Sequence, residues 1–216
     1  MAETTQQTEQ SDIHGFQSTW VTYYNKRDTK VDAPSEYKEN LSNVASISSV
    51  EDFNAVFSQM KRPSDLEKDD NVHIFREGSL PLWESLPNGG TFSVKIRRQQ
   101  ELTVNHIWEA VAAAAMGEVF EEPGIIGVTV HVRAKDDSVM VWLDDARDGK
   151  VRQRVQEKIK NLLGVDTVDY KANVASMKVL KEGRKSNKQR SKRVRHAKNA
   201  EAAPEKEAEE AGEAKE

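Results

Sequence analysis

The chain contains no cysteine. That excludes disulfide staples, thiolate metal sites and a cysteine nucleophile, and it fits a reducing compartment. No apolar run reaches the length needed to span a bilayer, so no membrane segment is expected. The opening MAETTQQTEQSD is polar throughout, and no secretory signal is expected there. Aromatics are scarce at 6%, and hydrophobic residues reach only 37% of 216. One sizeable core can close at this length, but 31% charged residues imply that part of the chain lies outside it. Catalytic signatures are missing too. There is no Walker-type phosphate loop, no GxSxG, no HExxH and no GxGxxG. His14, His73, His106, His131 and His196 are scattered without metal-ligand spacing. Asp144 and Asp145 are adjacent, so along a strand they face opposite sides and make a poor acid–base pair; a solvated turn explains them better. The expectation is a non-enzyme without metal or cofactor.

What is present is unevenly distributed. The formal charge of −4 hides a basic run, Lys178 to Lys198, with ten Lys or Arg against the single Glu182. The following EAAPEKEAEEAGEAKE has seven Glu against two Lys. Such solvated segments of one sign are expected to be disordered. The organisation expected is therefore a disordered segment over 1–13, one folded domain over 14–179, and a tail over 180–216, basic over 180–198 and acidic over 201–216. The basic run is compositionally compatible with nuclear import, but the expected location is the cytoplasm.

Within the domain, QSTWVTYYNK reads as a strand and TKVDAPSEYKENL as a polar loop carrying Tyr37. SSVEDFNAVFSQM has a capping-box start at Ser49 and an apolar stripe of Val50, Phe53, Val56, Phe57 and Met60, the pattern of a helix. NVHIF and TFSVKIRR read as strands, NHIWEAVAAAAMGE as a helix capped by Asn105, and GIIGVTVHVRA and SVMVW as a hairpin. VRQRVQEKIKNLLG is a helix ending at Gly164, and TVDYKA a last short strand. Alternating strands interrupted by three helices predict an α+β fold. Helices pack on one face of an antiparallel sheet, and the other face is left to hold a ligand.

The segment REGSLPLWESLPNGG is turn-rich, yet Trp83 and Glu84 lie at its centre. Tyr37 is likewise an aromatic in a polar loop. Arg133 and Lys135 lie two apart at a strand end and share a face, while Val128, Val130 and Val132 take the opposite, buried phase. Trp142 lies on the next strand of that hairpin, near the basic pair. Two aromatics flanking a carboxylate, with cations nearby, suit a guanine nucleotide. A carboxylate accepts the guanine N1 and N2 hydrogens as a charge-assisted pair, and stacking is worth about 1–3 kcal/mol per base. A base that is itself cationic adds about 0.5–2 kcal/mol of cation–π attraction, and the base that best uses all these parts is 7-methylguanine. Taken alone, a loop Trp anchored on the core and an Arg-x-Lys on a solvated face explain these residues more simply.

Several segments in order, HGFQSTWVTYY, SSVEDFNAVF, VHIFREGSLPLWE, GGTFSVKI, IWEAVAAAAMGE, GVTVHVRAKDD and VMVW, resemble the eukaryotic translation initiation factor 4E family, the messenger RNA cap-binding proteins. PLWE and HVRAK are the most specific of these signals. The resemblance implies a curved antiparallel sheet with three helices on its convex back and the cap in the concave front. It implies that Trp83 and Tyr37 sandwich 7-methylguanine, that Glu84 accepts its N1 and N2 hydrogens, that Trp142 lies near the N7 methyl, and that Arg133 and Lys135 hold phosphates. Tyr37 stands where the family usually has Trp, which predicts a working but weaker site. Two further phosphate positions are neutral, Thr91 and Ser138, and Lys178, Lys181 or Arg184 are candidates to compensate. A scaffold of the 4G type or a repressor, carrying a helical YxxxxLΦ peptide, is expected on the convex helices at His14, Val50, Asn54, Glu109, Ala113 and Gly117. Asn54 replaces the family's anchoring Trp and Glu109 an apolar contact, changes that point to an altered partner or a repressor role. Phe53, Phe57 and Trp108 are expected to pack inward. Outside its complexes the protein is expected to be a monomer.

Two other readings predict different behaviour. A nucleotide pyrophosphohydrolase would need a carboxylate-dense helix, and Glu118, Glu121 and Glu122 are the nearby cluster, interrupted by Pro123. A nonspecific basic RNA binder would depend on Arg184 to Lys198, weaken steeply with salt and ignore N7 methylation.

Overall fold

The computed structural model describes residues 13–27, 34–97 and 101–178. The disordered segments expected at either end lie outside the described residues but for Ile13. The chain divides into two units after Val174, and the description concerns the first.

Seven strands form one antiparallel sheet: β1 (Gly15–Lys26), β2 (Ser42–Ser49), β3 (Asp70–Arg76), β4 (Gly90–Arg97), β5 (Ile125–His131), β6 (Asp136–Leu143) and β7 (Asp169–Ala172). Their order is β2-β1-β3-β5-β6-β4-β7. Side chains alternate across it as the pleat requires. On β5, Val128 and Val130 point to the core with no exposure, as does Val132 just beyond, while Gly127, Thr129 and His131 take the other face. Val72 and Ile74 of β3, and Phe92, Val94 and Ile96 of β4, join the core side.

Helices cover that side. α2 (Val50–Gln59) is opened by Ser49, whose hydroxyl accepts the Asp52 amide at 3.1 Å, while the Asp52 carboxylate accepts the Ser48 amide and hydroxyl. The capping-box-like start read from the sequence is therefore present, with Asp52 reaching back past the cap to Ser48. α3 (Glu101–Met116) buries Val104, Trp108, Val111, Ala112 and Ala115 against the sheet. α4 (Gly149–Leu163) starts on the Asp148 cap, buries Val155 and Ile159, and stops at Gly164 in the left-handed region with φ 62°. This is the α+β architecture expected, with an open second face.

Three local expectations are corrected. Asn105 does not cap α3, which begins four residues earlier, at Glu101; its amide instead brackets Ser64, accepting the backbone N–H at 3.1 Å and donating to the hydroxyl at 2.9 Å. Tyr37 lies not in a loop but in a short helix, α1 (Pro34–Glu39), whose first residue is a proline suited to that position. Residues 42–49, unassigned from the sequence because SNVASISS is mostly small and polar, form the edge strand β2 against β1.

Candidate nucleotide-binding face

The face opposite the main core carries its own small apolar cluster: Phe75, Ile126 and Trp142, with Tyr23, Trp83, Leu86 and Met140 packed on it. Gly127 makes room for it. Paired with both Phe75 and Trp142, it would place any added Cβ 2.5 Å from the Phe75 ring. The Phe75 ring meets Trp142 edge-on at 5.4 Å and 67°.

Trp83 lies on this platform. The PLWES segment winds into a 3₁₀ turn over Trp83–Ser85, closed by the Leu86 amide on the Trp83 carbonyl at 3.1 Å. The turn lays the Trp83 indole nearly parallel to that of Trp142, 6.3 Å between centroids and 18° between planes. Trp83 is thus anchored from beneath while still half-exposed, and Glu84 beside it is exposed. The sequence reads Trp83 as a loop residue away from any obvious apolar stripe; the structure seats it on Trp142 and its neighbours. The Trp83 indole N–H is buried without a hydrogen-bond partner.

Tyr37 approaches from α1. Its hydroxyl hydrogen-bonds with the Asn25 side chain, and it lies within electrostatic reach of Arg133 and Glu84. Burial raises the phenol to about 12, so it is neutral at any working pH. Glu84, from the 3₁₀ turn, and Arg133, from the turn after β5, thus lie within electrostatic reach of Tyr37 on α1.

Beneath them runs a polar chain that sequence reading missed. The Trp142 indole N–H donates to Thr129 Oγ1 at 3.0 Å, and Thr129 Oγ1 lies 2.9 Å from His73 Nδ1. His73 Nε2 lies 3.0 Å from Asn25 Oδ1, which also accepts Asn71 Nδ2 at 3.1 Å. Arg133 Nη2 donates to Asn71 Oδ1 at 2.8 Å. One proton arrangement satisfies every link. His73 carries its hydrogen on Nε2 and donates it to Asn25, Thr129 donates to Nδ1, and the Asn25 amide is left to donate to Tyr37. The chain therefore joins Trp142, Tyr37 and Arg133 through groups that must stay neutral. His73 does so, because burial and then the nearby Arg133 hold it down to about 3. His131, packed edge-on against His73 at 6.1 Å, is lowered for the same first reason.

This has a measurable consequence. A histidine with a depressed native pKa binds fewer protons folded than unfolded, so stability is full above its unfolded value of about 6.5 and falls as pH drops below it. The loss from His73 continues down to its native value of about 3. Near pH 5 it amounts to about 2 kcal/mol, a figure set by the unfolded pKa. Urea unfolding near pH 7.5 and near pH 5 checks it: His73→Gln should reduce the pH difference by about 2 kcal/mol.

Arg133 and Lys135 lie just past β5, in the turn to β6, rather than on the strand itself. Arg133 is half-buried and held by Asn71, the Val132 carbonyl at 2.7 Å and, through its amide, Asp137 Oδ1 at 2.9 Å. Lys135 is exposed. Trp142 lies further along β6, paired with Gly127, whereas Ser138 pairs with His131 next to the basic turn.

On the helix side, His14 accompanies the start of α2: its carbonyl accepts the Val50 amide at 2.9 Å, and its ring lies 2.9 Å from Glu51. Val50 and Asn54 of α2 are exposed, as are Glu109 and Ala113 on α3 and Gly117 just past its end. Between the helices, Phe53, Asn54, Phe57, Trp108 and Glu109 line a cleft of about 220 Å³. Phe53 and Phe57 stack at 4.1 Å, and Phe57 and Trp108 at 6.4 Å. Trp108 is buried as expected, but Phe53 and Phe57 are only half-buried and floor this cleft.

The architecture is thus an open antiparallel sheet with helices on one face and, on the other, an indole platform beside a carboxylate and cations. Residues 15–190 match the family model described as Eukaryotic initiation factor 4E, and the chain belongs to that family. It is 30% identical over 162 residues to mouse eukaryotic translation initiation factor 4E type 1B, covering 73% of this chain and 65% of that one. It is 31% identical over 161 residues to Caenorhabditis elegans eukaryotic translation initiation factor 4E-3, covering 70% and 62%. The match thus spans slightly less than two thirds of these relatives' own length. Among solved structures, C. elegans eIF4E-3 with the 4E-binding protein Mextli and a cap analog superposes with a TM-score of 0.70 at 28% identity, covering 77% of this chain and 96% of that one. Ascaris suum eIF4E-3 with an m7G cap gives 0.68 at 29%, covering 74% and 92%.

Proposed function

We propose that this chain binds the 7-methylguanosine cap of messenger RNA and acts in translation initiation. The observation that carries the reading is the half-exposed Trp83, seated on Trp142 with Glu84 beside it and Tyr37 within electrostatic reach of Glu84. An indole face held parallel to its platform is preorganised to stack a cationic base, and Glu84 is placed to accept the N1 and N2 hydrogens. Tyr37 supplies the second aromatic plane, and Arg133 and Lys135 begin the phosphate path. Similar chains have been solved with a cap analog and with an m7G cap, which supports the cap as the ligand.

The activity is binding rather than catalysis. In the carboxylate cluster that a hydrolase would need, Glu118 pairs with Arg76 at 2.7 Å, Glu121 with Lys158 at 2.7 Å and Glu122 with Arg154 at 2.7 Å. Three carboxylates tied to three different cations, with Glu118 and Glu121 at positive φ, are not a shared metal cradle. The expected site of action is the cytoplasm.

The α2–α3 surface is the proposed seat of a scaffold or repressor helix; a similar chain has been solved in complex with a 4E-binding protein. Asn54 and Glu109 line the cleft there, so the preferred partner presents polar groups where the family's usual peptide presents an apolar anchor. Retention on immobilised 7-methyl-GTP, with elution by 7-methyl-GTP but not by GTP, tests the cap reading. Strong co-retention of a 4G-type scaffold would argue against a repressor role.

A further inference from the structure

With Thr91 and Ser138 neutral, Arg133 and Lys135 are the only cations carried over from the family's phosphate positions. Beside them lies a second cavity, of about 490 Å³, to which Arg27, Lys68 and Lys95 contribute along with both of them. Its acidic members are Asp69 and Asp136, so five cations face two carboxylates.

The cavity is assembled from separate segments by backbone bonds. The Arg27 amide donates to the Asp69 carbonyl at 2.6 Å, and the Asp69 amide to the Val132 carbonyl at 2.9 Å. These join the end of β1, the turn before β3 and the end of β5 at one rim. Asp69 itself sits at φ 74°, a left-handed conformation uncommon outside glycine. On the opposite rim Lys95 of β4 pairs directly with Ser138 of β6. Paired residues on neighbouring strands point to the same face, so Lys95 brings a cation to the place where Ser138 lacks one. Lys95 also bonds Asp169 at 3.1 Å, but the two are 68% and 51% exposed, and such a pair yields readily to a stronger anion. Burial, and then Arg27 close by, lower the Arg133 guanidinium, a like-charge crowding that a bound anion relieves.

We infer that Lys95, Arg27 and Lys68, around the cavity beside Arg133 and Lys135, supply to the cap's polyphosphate the charge that Thr91 and Ser138 do not. The inference rests on the cap reading for the position of the base. It displaces the sequence-based candidates Lys178, Lys181 and Arg184, of which the last two lie outside the described residues.

The test uses the full chain and three probes, 7-methyl-GMP, 7-methyl-GDP and 7-methyl-GTP, titrated by calorimetry. The variant Arg27→Ala/Lys68→Ala/Lys95→Ala changes side chains on exposed positions. It is expected to bind 7-methyl-GMP within about twofold of the parent and 7-methyl-GTP at least about tenfold more weakly, with a shallower salt dependence. Lys95→Ala alone should give part of that loss, and Lys178→Ala/Lys181→Ala/Arg184→Ala none. An unchanged ratio of 7-methyl-GTP to 7-methyl-GMP affinity in the triple variant, or a loss confined to the tail variant, would overturn the inference. The cap reading fails differently: the parent would then bind GTP as tightly as 7-methyl-GTP, and a triple variant that lost both equally would leave the phosphate seat standing.

Discussion

Trp83→Ala is expected to weaken 7-methyl-GTP binding by about 2–4 kcal/mol, the sum of a lost base stack and a lost cation–π contact. The effect on folding should be much smaller. Trp83 lies on the surface of the Phe75–Ile126–Trp142 cluster, half-exposed, and its indole N–H has no partner to lose. The comparison with Trp83→Phe separates the two contributions. An aromatic ring can keep stacking over Trp142 while offering a weaker cation–π face, so Trp83→Phe should recover more than half of the loss. Calorimetric titration of the three proteins checks this, with thermal unfolding as the control.

Thr129→Val is the second large effect, and it falls on stability first. Thr129 is fully buried, and the substitution keeps its shape while removing one hydroxyl. That hydroxyl is the acceptor for the Trp142 indole N–H and the partner of His73 Nδ1. Both would be left unsatisfied away from water, at about 1–3 kcal/mol each, so unfolding free energy should drop by about 2–5 kcal/mol. Thr129→Ser restores the hydroxyl and loses only a buried methyl, about 1 kcal/mol. Because Trp142 is the platform under Trp83, the valine variant should also bind 7-methyl-GTP more weakly, and the serine variant should not. Denaturant titration gives the first result and calorimetry the second.

These predictions draw on different depths of the sequence. The core phase of β5, the capping box of α2 and the glycine stop of α4 were legible because each depends on residues a few positions apart. Trp83 and Glu84 were legible as misfits, an indole and a carboxylate in a turn-rich segment. What supports Trp83 was not, because Trp142 comes from a strand far along the chain and was legible as a site aromatic near the basic pair, with nothing local to place it under the Trp83 indole. Edge strand β2 escaped since its small polar residues carry neither an apolar alternation nor a β-branched run. Tyr37 was taken as a loop residue although proline at the start of PSEYKE is a helix signal, weakened there by the shortness of the element.

The polar chain under the site escaped for a related reason. Asn25, Asn71, His73 and Thr129 each interrupt a strand in the sequence, and nothing local ties one to another. Only the register, with Asn25 opposite Asn71 and His73 opposite Thr129, makes them neighbours. Lys95 is the same case, an exposed strand lysine until its pairing with Ser138 is known. The resemblance implied a guanine site with phosphate contacts missing at Thr91 and Ser138; the sheet shows which cations stand beside the gap.

The central claim is that this face recognises a methylated guanine through Glu84. The most direct test is the quenching of tryptophan fluorescence by 7-methyl-GTP and by GTP, in the parent protein and in Glu84→Gln. A neutral amide keeps the size of the side chain but not the charge-assisted pair, worth about 2 kcal/mol or more. The parent should prefer 7-methyl-GTP by at least about tenfold, since the cationic base alone gains the cation–π contact. Glu84→Gln should bind 7-methyl-GTP at least about thirtyfold more weakly with its fold intact. Equal quenching of the parent by both nucleotides, or an unchanged 7-methyl-GTP affinity in Glu84→Gln, would contradict the account.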